Sequence, residues 1–441
     1  MKQPAAVAHY VNTFYTTAMN TIITPRHFSG SIHVPASKSH TIRRLLLATF
    51  TKGTSFIDFP LASLDIRSCI KVCTELGAKI IEESERLTVI GRGRHASPPA
   101  VLDVGNSGTT LFLALAFAAL GTEPIAFTGD EQIKRRSAAP LLNALSGLGV
   151  SVSSEQGCVP ITVRGPWKGG SVVLSCPTSQ YLSALLLAAP LSPVDTATEL
   201  EIPFLNEKPY IDLTLSYLNQ QNIDYKAALD YSWFYIPGGA HYQPLNGTVP
   251  GDFSSAAFPA CAAAITGGPV TLFYLDPHDR QGDKYIFTLL EQMGCTVIWD
   301  RTRVTISRSG PLHAGTFDLN ATPDLLPAMA AVAAFAVGRT ALVNVAHARI
   351  KETDRIAVMM QELGKLGLVC EERPDALIIH GTGSLEGGIV DGRKDHRIVM
   401  ALAAAALGAK APVEIIGTEA ADVTYPGFIA LAAGAVPDDC P

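Results

Sequence analysis

The stretch Asn106-Ser107-Gly108-Thr109, followed directly by the apolar run TLFLALAFAAL at 110–120, contains the pattern on which the whole chain is built. A short polar cluster precedes a helical run that is apolar nearly all round, and a helix without a polar face is a buried helix. Ser, Thr, Asn and Asp are the residues preferred immediately before a helix. The pattern occurs six times, at intervals of about 70 residues, with clusters that begin at Ser37, Asn106, Thr178, Asp252, Thr322 and Asp395.

A second kind of helix lies between these buried runs. It is amphipathic, ends in a turn and leads into a β-rich segment, as in DIRSCIKVCTELGAKI at 65–80. Gly is the commonest residue just past a helix C-terminus, and Asn is the usual substitute. The five complete copies carry such a residue at this place, namely Gly77, Gly149, Asn222, Gly294 and Gly367. We therefore predict an α/β protein of six β-α-β-α-β-β repeats, gathered into two globular lobes, with the sixth copy cut short.

The composition limits the classes of function. The chain has 441 residues and a net charge of −6, with 17% charged residues. A general binder of nucleic acid or of a membrane surface needs a basic field, so neither partner is expected. The longest apolar runs are well short of the roughly 20 residues that span a bilayer, and the N-terminus lacks the apolar core of a signal peptide. We therefore expect a cytoplasmic protein. The eight cysteines form no zinc-binding pattern, so no metal is expected.

Cations beside the buried helix starts indicate where an anion would bind. Lys38, between Ser37 and Ser39, offers an ammonium, hydroxyls and free N–H groups to one phosphate, because a helix N-terminus favours negative charge. Arg43 lies about one turn further along the same helix face. The run Lys134-Arg135-Arg136 adds three consecutive cations, for which a solvated surface is an equally good interpretation.

Carboxylates accompany cations in the second half of the chain. The segment Lys351-Glu352-Thr353-Asp354-Arg355 places Glu352 beside two cations, which keep a carboxylate ionised unless a proton is supplied in the active complex. Asp395-His396-Arg397 stands at another buried helix start, and Asp324 stands at the cap before LLPAMAA. A capping role alone would explain Asp324, because Asp is a common N-cap.

Six of these segments together resemble the signatures of the 5-enolpyruvylshikimate-3-phosphate synthases. In family order they are Pro35-Ala36-Ser37-Lys38-Ser39, Gly105-Asn106-Ser107-Gly108-Thr109, Thr178-Ser179-Gln180-Tyr181-Leu182, Lys208-Pro209-Tyr210-Ile211-Asp212, Lys351-Glu352-Thr353-Asp354-Arg355 and Asp395-His396-Arg397. The resemblance covers about residues 20–430, and the last two motifs at this separation are highly specific. It implies two inverse α/β barrels, one at 36–250 and the other at 19–35 with 251–441, whose closure builds the site and excludes water. Residues 1–18 are expected to be a disordered extension.

The resemblance also implies a reaction. The enolpyruvyl group of phosphoenolpyruvate passes to the 5-hydroxyl of shikimate 3-phosphate, with release of inorganic phosphate, in chorismate and aromatic amino-acid biosynthesis. No metal or organic cofactor is expected, because the chemistry needs one base, one acid and fixed cations. A single chain that carries both lobes is expected to act as a monomer.

Residue roles follow from the matching motif positions. Asp324 would accept the hydroxyl proton and Glu352 would protonate the methylene carbon, with Lys38 as the third catalytic residue. The residues that would bind shikimate 3-phosphate are Lys38, Ser39, Arg43, Thr178, Ser179, Gln180, Asp324 and Lys351. Those that would bind phosphoenolpyruvate are Lys38, Gly108, Arg136, Gln180, Arg355 and Arg397.

Four positions depart from the family pattern. They are Phe112 in place of an Arg, Glu207 in place of a Ser that contacts substrate, His347 in place of an Asn and Val423 in place of a Lys. Two lost cations and one added carboxylate should weaken anion binding, by about 1.5–3 kcal/mol for each charge-assisted contact. The resulting hypothesis is an active enzyme with a raised KM for phosphoenolpyruvate.

Two other functions are compatible with this fold. Enolpyruvyl transfer to UDP-N-acetylglucosamine is the sister reaction, but the motifs at 178–182, 351–355 and 395–397 match the shikimate branch. A degenerate, non-catalytic phosphate-binding homologue would account for the four departures. Such a binder, however, has no use for Asp324 and Glu352 in an anion site.

Overall fold

The computed structural model describes residues 19–93 and 101–435. The extension expected at 1–18 and Cys440 lie outside the described residues. The chain divides into two compact units. We call Ala36–Val249 the continuous unit, and Met1–Pro35 together with Pro250–Pro441 the discontinuous unit.

Twelve α-helices lie within the described residues. In the continuous unit they are α1 (Lys38–Thr49), α2 (Leu64–Glu75), α3 (Gly108–Ala118), α4 (Ala139–Gly147), α5 (Ser179–Ala188) and α6 (Lys208–Gln220). In the discontinuous unit they are α7 (Phe253–Thr266), α8 (Tyr285–Gln292), α9 (Leu326–Ala333), α10 (Arg355–Lys365), α11 (His396–Ala406) and α12 (Phe428–Ala433). Five of the six polar clusters lead directly into a helix, whereas the Thr322 cluster leads first into a 3-10 turn at Pro323–Leu325.

The same residues contain 24 strands. They are β1 (Asn20–Ile23), β2 (Gly30–His33), β3 (Lys52–Asp58), β4 (Lys79–Glu82), β5 (Arg86–Arg92), β6 (Val101–Asp103), β7 (Ile125–Thr128), β8 (Ser151–Glu155), β9 (Cys158–Arg164), β10 (Gly170–Val173), β11 (Ala197–Glu201), β12 (Lys226–Ala227), β13 (Trp233–Pro237), β14 (Asn246–Thr248), β15 (Val270–Phe273), β16 (Thr296–Asp300), β17 (Arg303–Ser307), β18 (Leu312–His313), β19 (Thr316–Asp318), β20 (Ala336–Val343), β21 (Val369–Arg373), β22 (Ala376–Gly381), β23 (Gly388–Asp391) and β24 (Val413–Ile416).

In the described part of the continuous unit, the strands form three four-stranded sheets, one for each repeat. Their orders are β14-β3-β5-β4, β6-β7-β9-β8 and β10-β11-β13-β12. In the second repeat β6 pairs in parallel with β7 across the buried helix α3, and β9 pairs antiparallel with both β7 and β8. This is the β-α-β-α-β-β unit that the sequence predicts. The first repeat takes its leading strand from the far end of the unit, because β14 pairs in parallel with β3.

The discontinuous unit repeats this arrangement with strands from both of its segments. Its sheet orders are β16-β17-β15-β2, β18-β20-β22-β21 and β1-β24-β23, with β19 also paired to β20. The leading strand of the fourth repeat is β2, which pairs in parallel with β15. The shortened sixth repeat is completed by β1, which runs antiparallel to β24. The N-terminal strands therefore fill the places that the second half of the chain leaves open.

Each unit has its own hydrophobic core, and the buried helices lie in it. In the continuous unit α3 packs against both α1 and α5, and in the discontinuous unit α7, α9 and α11 pack on one another. Every residue of α3 except Thr109 is buried, as the all-round apolar pattern predicts. The amphipathic helices lie outside these bundles and end as predicted, because Gly77, Gly149, Asn222, Gly294 and Gly367 all adopt a positive φ.

No helix in the described ranges is long and apolar enough to cross a membrane. The seven described cysteines are free thiols, and five of them are buried.

Candidate active site

The predicted site residues fall into two groups, one in each unit. Lys38, Ser39, Arg43, Gly108, Arg136, Thr178, Ser179 and Gln180 belong to the continuous unit. Asp324, Lys351, Glu352, Arg355 and Arg397 belong to the discontinuous unit.

The start of α1 places Lys38 against a buried carboxylate. Its Nζ lies 3.0 Å from Oδ2 of Asp65, a residue near the start of α2 that the sequence did not single out. Only 14% of the Lys38 side chain is exposed, so this lysine is not a solvated surface cation. Ser37 occupies the N-cap position, but its side chain makes no capping hydrogen bond.

Arg43 points into the interior of the continuous unit. Its guanidinium donates hydrogen bonds to the hydroxyls of Thr214 (3.1 Å) and Ser183 (3.4 Å) and to the carbonyl of Ser39 (3.2 Å). Burial lowers the pKa of Arg43 to about 10. The side chain is 2% exposed, so Arg43 joins α1 to α5 and α6 through neutral partners, beneath Ser39.

Gly108 and Arg136 lie against each other. A Cβ atom at position 108 would stand 2.4 Å from Nη1 of Arg136, so only glycine lets the guanidinium approach the start of α3 this closely. Within the run at 134–136, Lys134 and Arg135 are exposed and Arg136 is half-buried. The solvated interpretation of this run therefore holds for its first two residues only.

The first turn of α5 holds a carboxylate of the chain itself. Oε2 of Glu207 accepts hydrogen bonds from the Thr178 hydroxyl (3.1 Å), the Ser179 backbone N–H (3.0 Å) and the Ser179 hydroxyl (2.8 Å). We call this arrangement of Thr178, Ser179 and Glu207 the α5 seat. Gln180 follows in the same turn, and its buried Oε1 accepts no hydrogen bond from the described residues.

The second group is centred on Arg355, the first residue of α10. Its guanidinium contacts three carboxylates, those of Asp395 (Nε to Oδ2, 2.9 Å), Asp324 (Nη1 to Oδ1, 2.7 Å) and Glu352 (Nη2 to Oε2, 2.6 Å). Burial alone would lower the pKa of Arg355, but the three carboxylates outweigh it and raise the pKa. We call these four residues, together with Lys351 and Arg397, the Asp324 cluster.

Asp324 is not the helix cap that the sequence suggested. The N-cap positions here are Thr322 for the 3-10 turn and Leu325 for α9, and neither makes a side-chain capping hydrogen bond. The Asp324 carboxylate instead lies 3.0 Å from Nη2 of Arg397 and 3.8 Å from Nζ of Lys351, in addition to its contact with Arg355. Burial alone would raise its pKa, but these cations hold the pKa of Asp324 well below its ordinary value.

The segment 351–355 is bent rather than helical throughout. Lys351 ends a 3-10 helix at Ala346–Ile350, and α10 begins only at Arg355, with Asp354 as its N-cap. Thr353, which the sequence did not single out, donates a hydrogen bond to Oδ2 of Asp395 (3.0 Å). The bend directs Lys351 and Arg355 to the same oxygen of Asp324.

Asp283 is a buried carboxyl that sequence reasoning missed. It accepts a hydrogen bond from Ser254 at the start of α7. Burial and, to a smaller extent, the negative charge of Asp324 raise its pKa to about 7, against the opposing effect of Arg397. Its sequence context, Gly282-Asp283-Lys284, resembles an ordinary surface turn and contains no signal of this burial.

Three of the four departures from the family pattern lie in structural positions. Phe112 is 4% exposed and packs edge-on against the ring of Tyr181, with the ring centroids 5.0 Å apart. His347 is buried, and its Nε2 lies 3.0 Å from the carbonyl oxygen of Asn320. Val423 is half-buried at the end of a 3-10 helix, Thr418–Val423. The fourth, Glu207, is the carboxylate of the α5 seat.

Comparison with known sequences gives a family that covers nearly the whole chain. The profile of the family described as EPSP synthase (3-phosphoshikimate 1-carboxyvinyltransferase) matches residues 22–431. The 3-phosphoshikimate 1-carboxyvinyltransferase of Acetivibrio thermocellus is 46% identical over 404 residues, which are 91% of this chain and 94% of that protein. The enzyme of the same name from Halobacterium salinarum is 40% identical over 430 residues, which are 94% of this chain and 98% of that protein.

Solved structures agree in fold. EPSP synthase from Acinetobacter baumannii superposes with a TM-score of 0.79 at 28% identity, over 95% of this chain and 98% of that chain. The enolpyruvyl transferase NikO from Streptomyces tendae covers the same shares at a TM-score of 0.76 and 17% identity, a similarity of fold alone. These structures confirm the predicted fold class. The sequence matches carry the assignment further: this chain belongs to the EPSP synthase (3-phosphoshikimate 1-carboxyvinyltransferase) family.

Proposed function

We propose that this protein transfers the enolpyruvyl group of phosphoenolpyruvate to the 5-hydroxyl of shikimate 3-phosphate and releases inorganic phosphate, in the shikimate pathway of aromatic amino-acid biosynthesis. The observation that carries the proposal is the Asp324 cluster, in which one carboxylate is held by Arg355, Arg397 and Lys351. A base held among fixed cations suits a reaction that joins two anionic substrates. The family and its relatives support this acceptor over UDP-N-acetylglucosamine.

The first chemical step needs a base. Asp324 accepts the proton of the 5-hydroxyl as the oxygen attacks the enol carbon. The cations that hold its pKa low make it a weak base, but the same cations also attract the carboxylate and phosphate of phosphoenolpyruvate. When Arg355 and Arg397 engage that substrate, their pull on Asp324 weakens and its pKa rises toward the range that a general base requires.

The same step needs an acid on the other side of the double bond. Glu352 gives a proton to the methylene carbon, which becomes a methyl group, and a tetrahedral ketal phosphate results. Expulsion of inorganic phosphate then requires the methyl group to lose a proton, which Glu352 takes back as the double bond re-forms. In the structure Arg355 contacts the Glu352 carboxylate at 2.6 Å, so the proton has to arrive with substrate binding.

The continuous unit supplies the groups that bind the acceptor. Lys38 and Ser39 at the start of α1, together with Thr178, Ser179 and Gln180 at the start of α5, offer an ammonium, hydroxyls and N–H groups to shikimate 3-phosphate. Arg43 stiffens this surface from below, through the carbonyl of Ser39. Arg136, beside Gly108, and Lys38 are the cations of this unit for phosphoenolpyruvate.

Further parts of the proposal concern the assembly and its surroundings. We propose that the two compact units are the two lobes of the family fold and that the enzyme acts as a monomer in the cytoplasm.

Release of inorganic phosphate tests the proposal. The purified protein is given both substrates, with shikimate 3-phosphate alone and phosphoenolpyruvate alone as controls. Release only in the presence of both supports the transferase. No release from a protein that circular dichroism shows to be folded would favour the non-catalytic phosphate-binding homologue instead.

A further inference from the structure

The α5 seat has the properties of an anion-binding site. The helix is ten residues long, and its N-terminal end carries partial positive charge and N–H groups without helical partners. Two hydroxyls and one N–H converge there on a single carboxylate oxygen at hydrogen-bonding distances of 2.8–3.1 Å. What fills the site is a carboxylate from the chain itself, that of Glu207.

The backbone holds Glu207 in this place. Leu205 forms a parallel bridge with Cys176, and the Asn206 side chain donates to the carbonyl of Pro177 (3.3 Å). These contacts tie the segment before α6 to the segment before α5. Glu207 follows with a left-handed backbone, φ +59°, and its residue surface is 2% exposed. A non-glycine residue rarely adopts this conformation unless surrounding contacts require it.

The seat cannot serve two anions at once. A phosphate that used the donors of Thr178 and Ser179 would lie within hydrogen-bonding distance of the Glu207 carboxylate, and two negative charges at such a distance repel strongly. The phosphate therefore binds only after Glu207 has left the donors.

We propose that Glu207 is a specificity-determining residue, an internal competitor that occupies the seat for the acceptor's phosphate and lowers the affinity for shikimate 3-phosphate. The inference rests on the proposed function for the identity of the acceptor. It goes beyond that function because it identifies which substrate Glu207 makes the protein bind more weakly, namely shikimate 3-phosphate at the start of α5. The cations of the Asp324 cluster, which would bind phosphoenolpyruvate, belong to the other unit.

Three variants of the full chain test the inference. Glu207→Ser removes the competing carboxylate, and Glu207→Gln keeps its shape without the charge. Glu201→Gln, at an exposed position of β11 in the same unit, removes an equal charge away from the seat. Ser, Gln and Glu are all non-glycine residues and would adopt the same left-handed conformation at position 207, so the three proteins should not differ in backbone strain.

Isothermal titration with shikimate 3-phosphate gives the dissociation constant without any need for turnover. We expect Glu207→Ser to lower the Kd about tenfold or more relative to the parent, Glu207→Gln to lower it less, and Glu201→Gln to leave it unchanged. The KM for phosphoenolpyruvate should stay the same in all four proteins. A Kd that is unchanged or higher in both Glu207 variants would overturn the inference.

Phosphate release by the same proteins separates the two claims. Tighter binding in Glu207→Ser without turnover in any protein would support the internal competitor and overturn the proposed reaction. Turnover with an unchanged Kd would overturn the competitor and support the reaction. If circular dichroism shows that Glu207→Ser is unfolded, the Kd of Glu207→Gln for shikimate 3-phosphate tests the internal competitor instead. No binding by any folded variant would overturn both claims.

Discussion

Two carboxylates, Glu207 in the continuous unit and Asp324 in the discontinuous unit, each lie at the start of a buried helix but are held by different forces. Glu207 accepts hydrogen bonds from neutral hydroxyls and one N–H at the end of a helix dipole. Asp324 is surrounded by the charged groups of Arg355, Arg397 and Lys351. The hydroxyls and the N–H that hold Glu207 belong to the start of α5, whereas the cations that hold Asp324 come from α10, α11 and the segment before α10.

The difference determines what each carboxylate can do. A group held by neutral donors can be exchanged for another anion, because the donors remain satisfied after the exchange. A group held by several cations is expensive to remove, because buried cations would be left unpaired. Its proton affinity instead responds to whatever else those cations bind. The α5 seat is therefore suited to binding, and the Asp324 cluster is suited to proton transfer.

The largest expected effect is on turnover and comes from Asp324. Replacement by Asn keeps the size of the side chain and removes the proposed base, so we expect kcat/KM to fall by about 10²–10⁴. Glu207→Gln should instead improve the reaction, because it strengthens the binding of shikimate 3-phosphate and changes nothing else. Steady-state phosphate release for Asp324→Asn and Glu207→Gln, measured in parallel, tests whether the two carboxylates differ in function as they differ in environment.

Asp300→Asn is the matched control for this experiment. Asp300 is an exposed carboxylate of the same unit that pairs with Arg303 at the surface, so its loss should leave turnover within about twofold of the parent, as expected for a surface pair. Loss of a general base should reduce kcat/KM by more than about tenfold. Asp324 would therefore be excluded as the base if Asp324→Asn kept more than about a tenth of the parental kcat/KM.

A smaller effect concerns the pH dependence of stability and comes from Asp283. Burial raises the pKa of this carboxyl to about 7 in the folded chain, against about 3.9 in an unfolded chain. Between these values the folded state holds a proton that the unfolded state has lost. The contribution of Asp283 to stability is therefore fully present below about pH 4 and is lost as the pH rises to about 7.

Asp283→Asn removes this pH dependence because the amide stays neutral. At pH 8 we expect the variant to be more stable than the parent by about 2–4 kcal/mol, and at pH 4 the two should be nearly equal. Urea denaturation of both proteins between pH 4 and pH 8 measures the difference. Asp324, whose pKa the cations hold low in the fold, is ionised in both states over most of this range and adds almost no slope. Parallel curves over this range would show that Asp283 ionises normally in the fold.

The fold follows from the sequence to the extent that its determinants are local. The apolar runs after Ser37, Asn106 and Thr178 become buried helices because no polar face competes for solvent. The glycines after the amphipathic helices adopt the positive φ that ends a helix. The exception is Thr322, where Pro323 and Asp324 form a 3-10 turn and α9 begins later.

The sequence motifs named residues that the structure brings together, but they did not give the contacts between them. Motif positions bring Lys351, Arg355 and Asp324 together as expected, although the bend at 351–354 that allows this has no clear sequence signal. Glu207 lies 28 positions from Ser179 in the chain, so its place at α5 depends on backbone pairing between separate segments. Asp283 is buried by tertiary packing, which no local pattern encodes.

The smallest expected effect comes from restoring a cation at Val423. The 3-10 helix that ends there packs against α11, whose first turn carries Arg397. Val423→Lys adds a positive charge to the unit whose cations are proposed to bind phosphoenolpyruvate. We expect the KM for phosphoenolpyruvate to fall by up to about tenfold, which corresponds to one additional charge-assisted contact. The neighbouring carboxyl of Asp422, whose pKa burial raises, competes for the new ammonium and limits the gain.

Val369→Lys provides the control for this last variant, because Val369 is an exposed strand residue of the same unit and receives the same charge. Steady-state kinetics at saturating shikimate 3-phosphate should show a lower KM for phosphoenolpyruvate in Val423→Lys only, with the Kd for shikimate 3-phosphate unchanged. This outcome would mean that the missing lysine weakens phosphoenolpyruvate binding in the discontinuous unit, whereas Glu207 weakens shikimate 3-phosphate binding in the continuous unit. An equal kcat/KM in the parent and Val423→Lys would instead mean that the cations of the Asp324 cluster already suffice without a lysine at position 423.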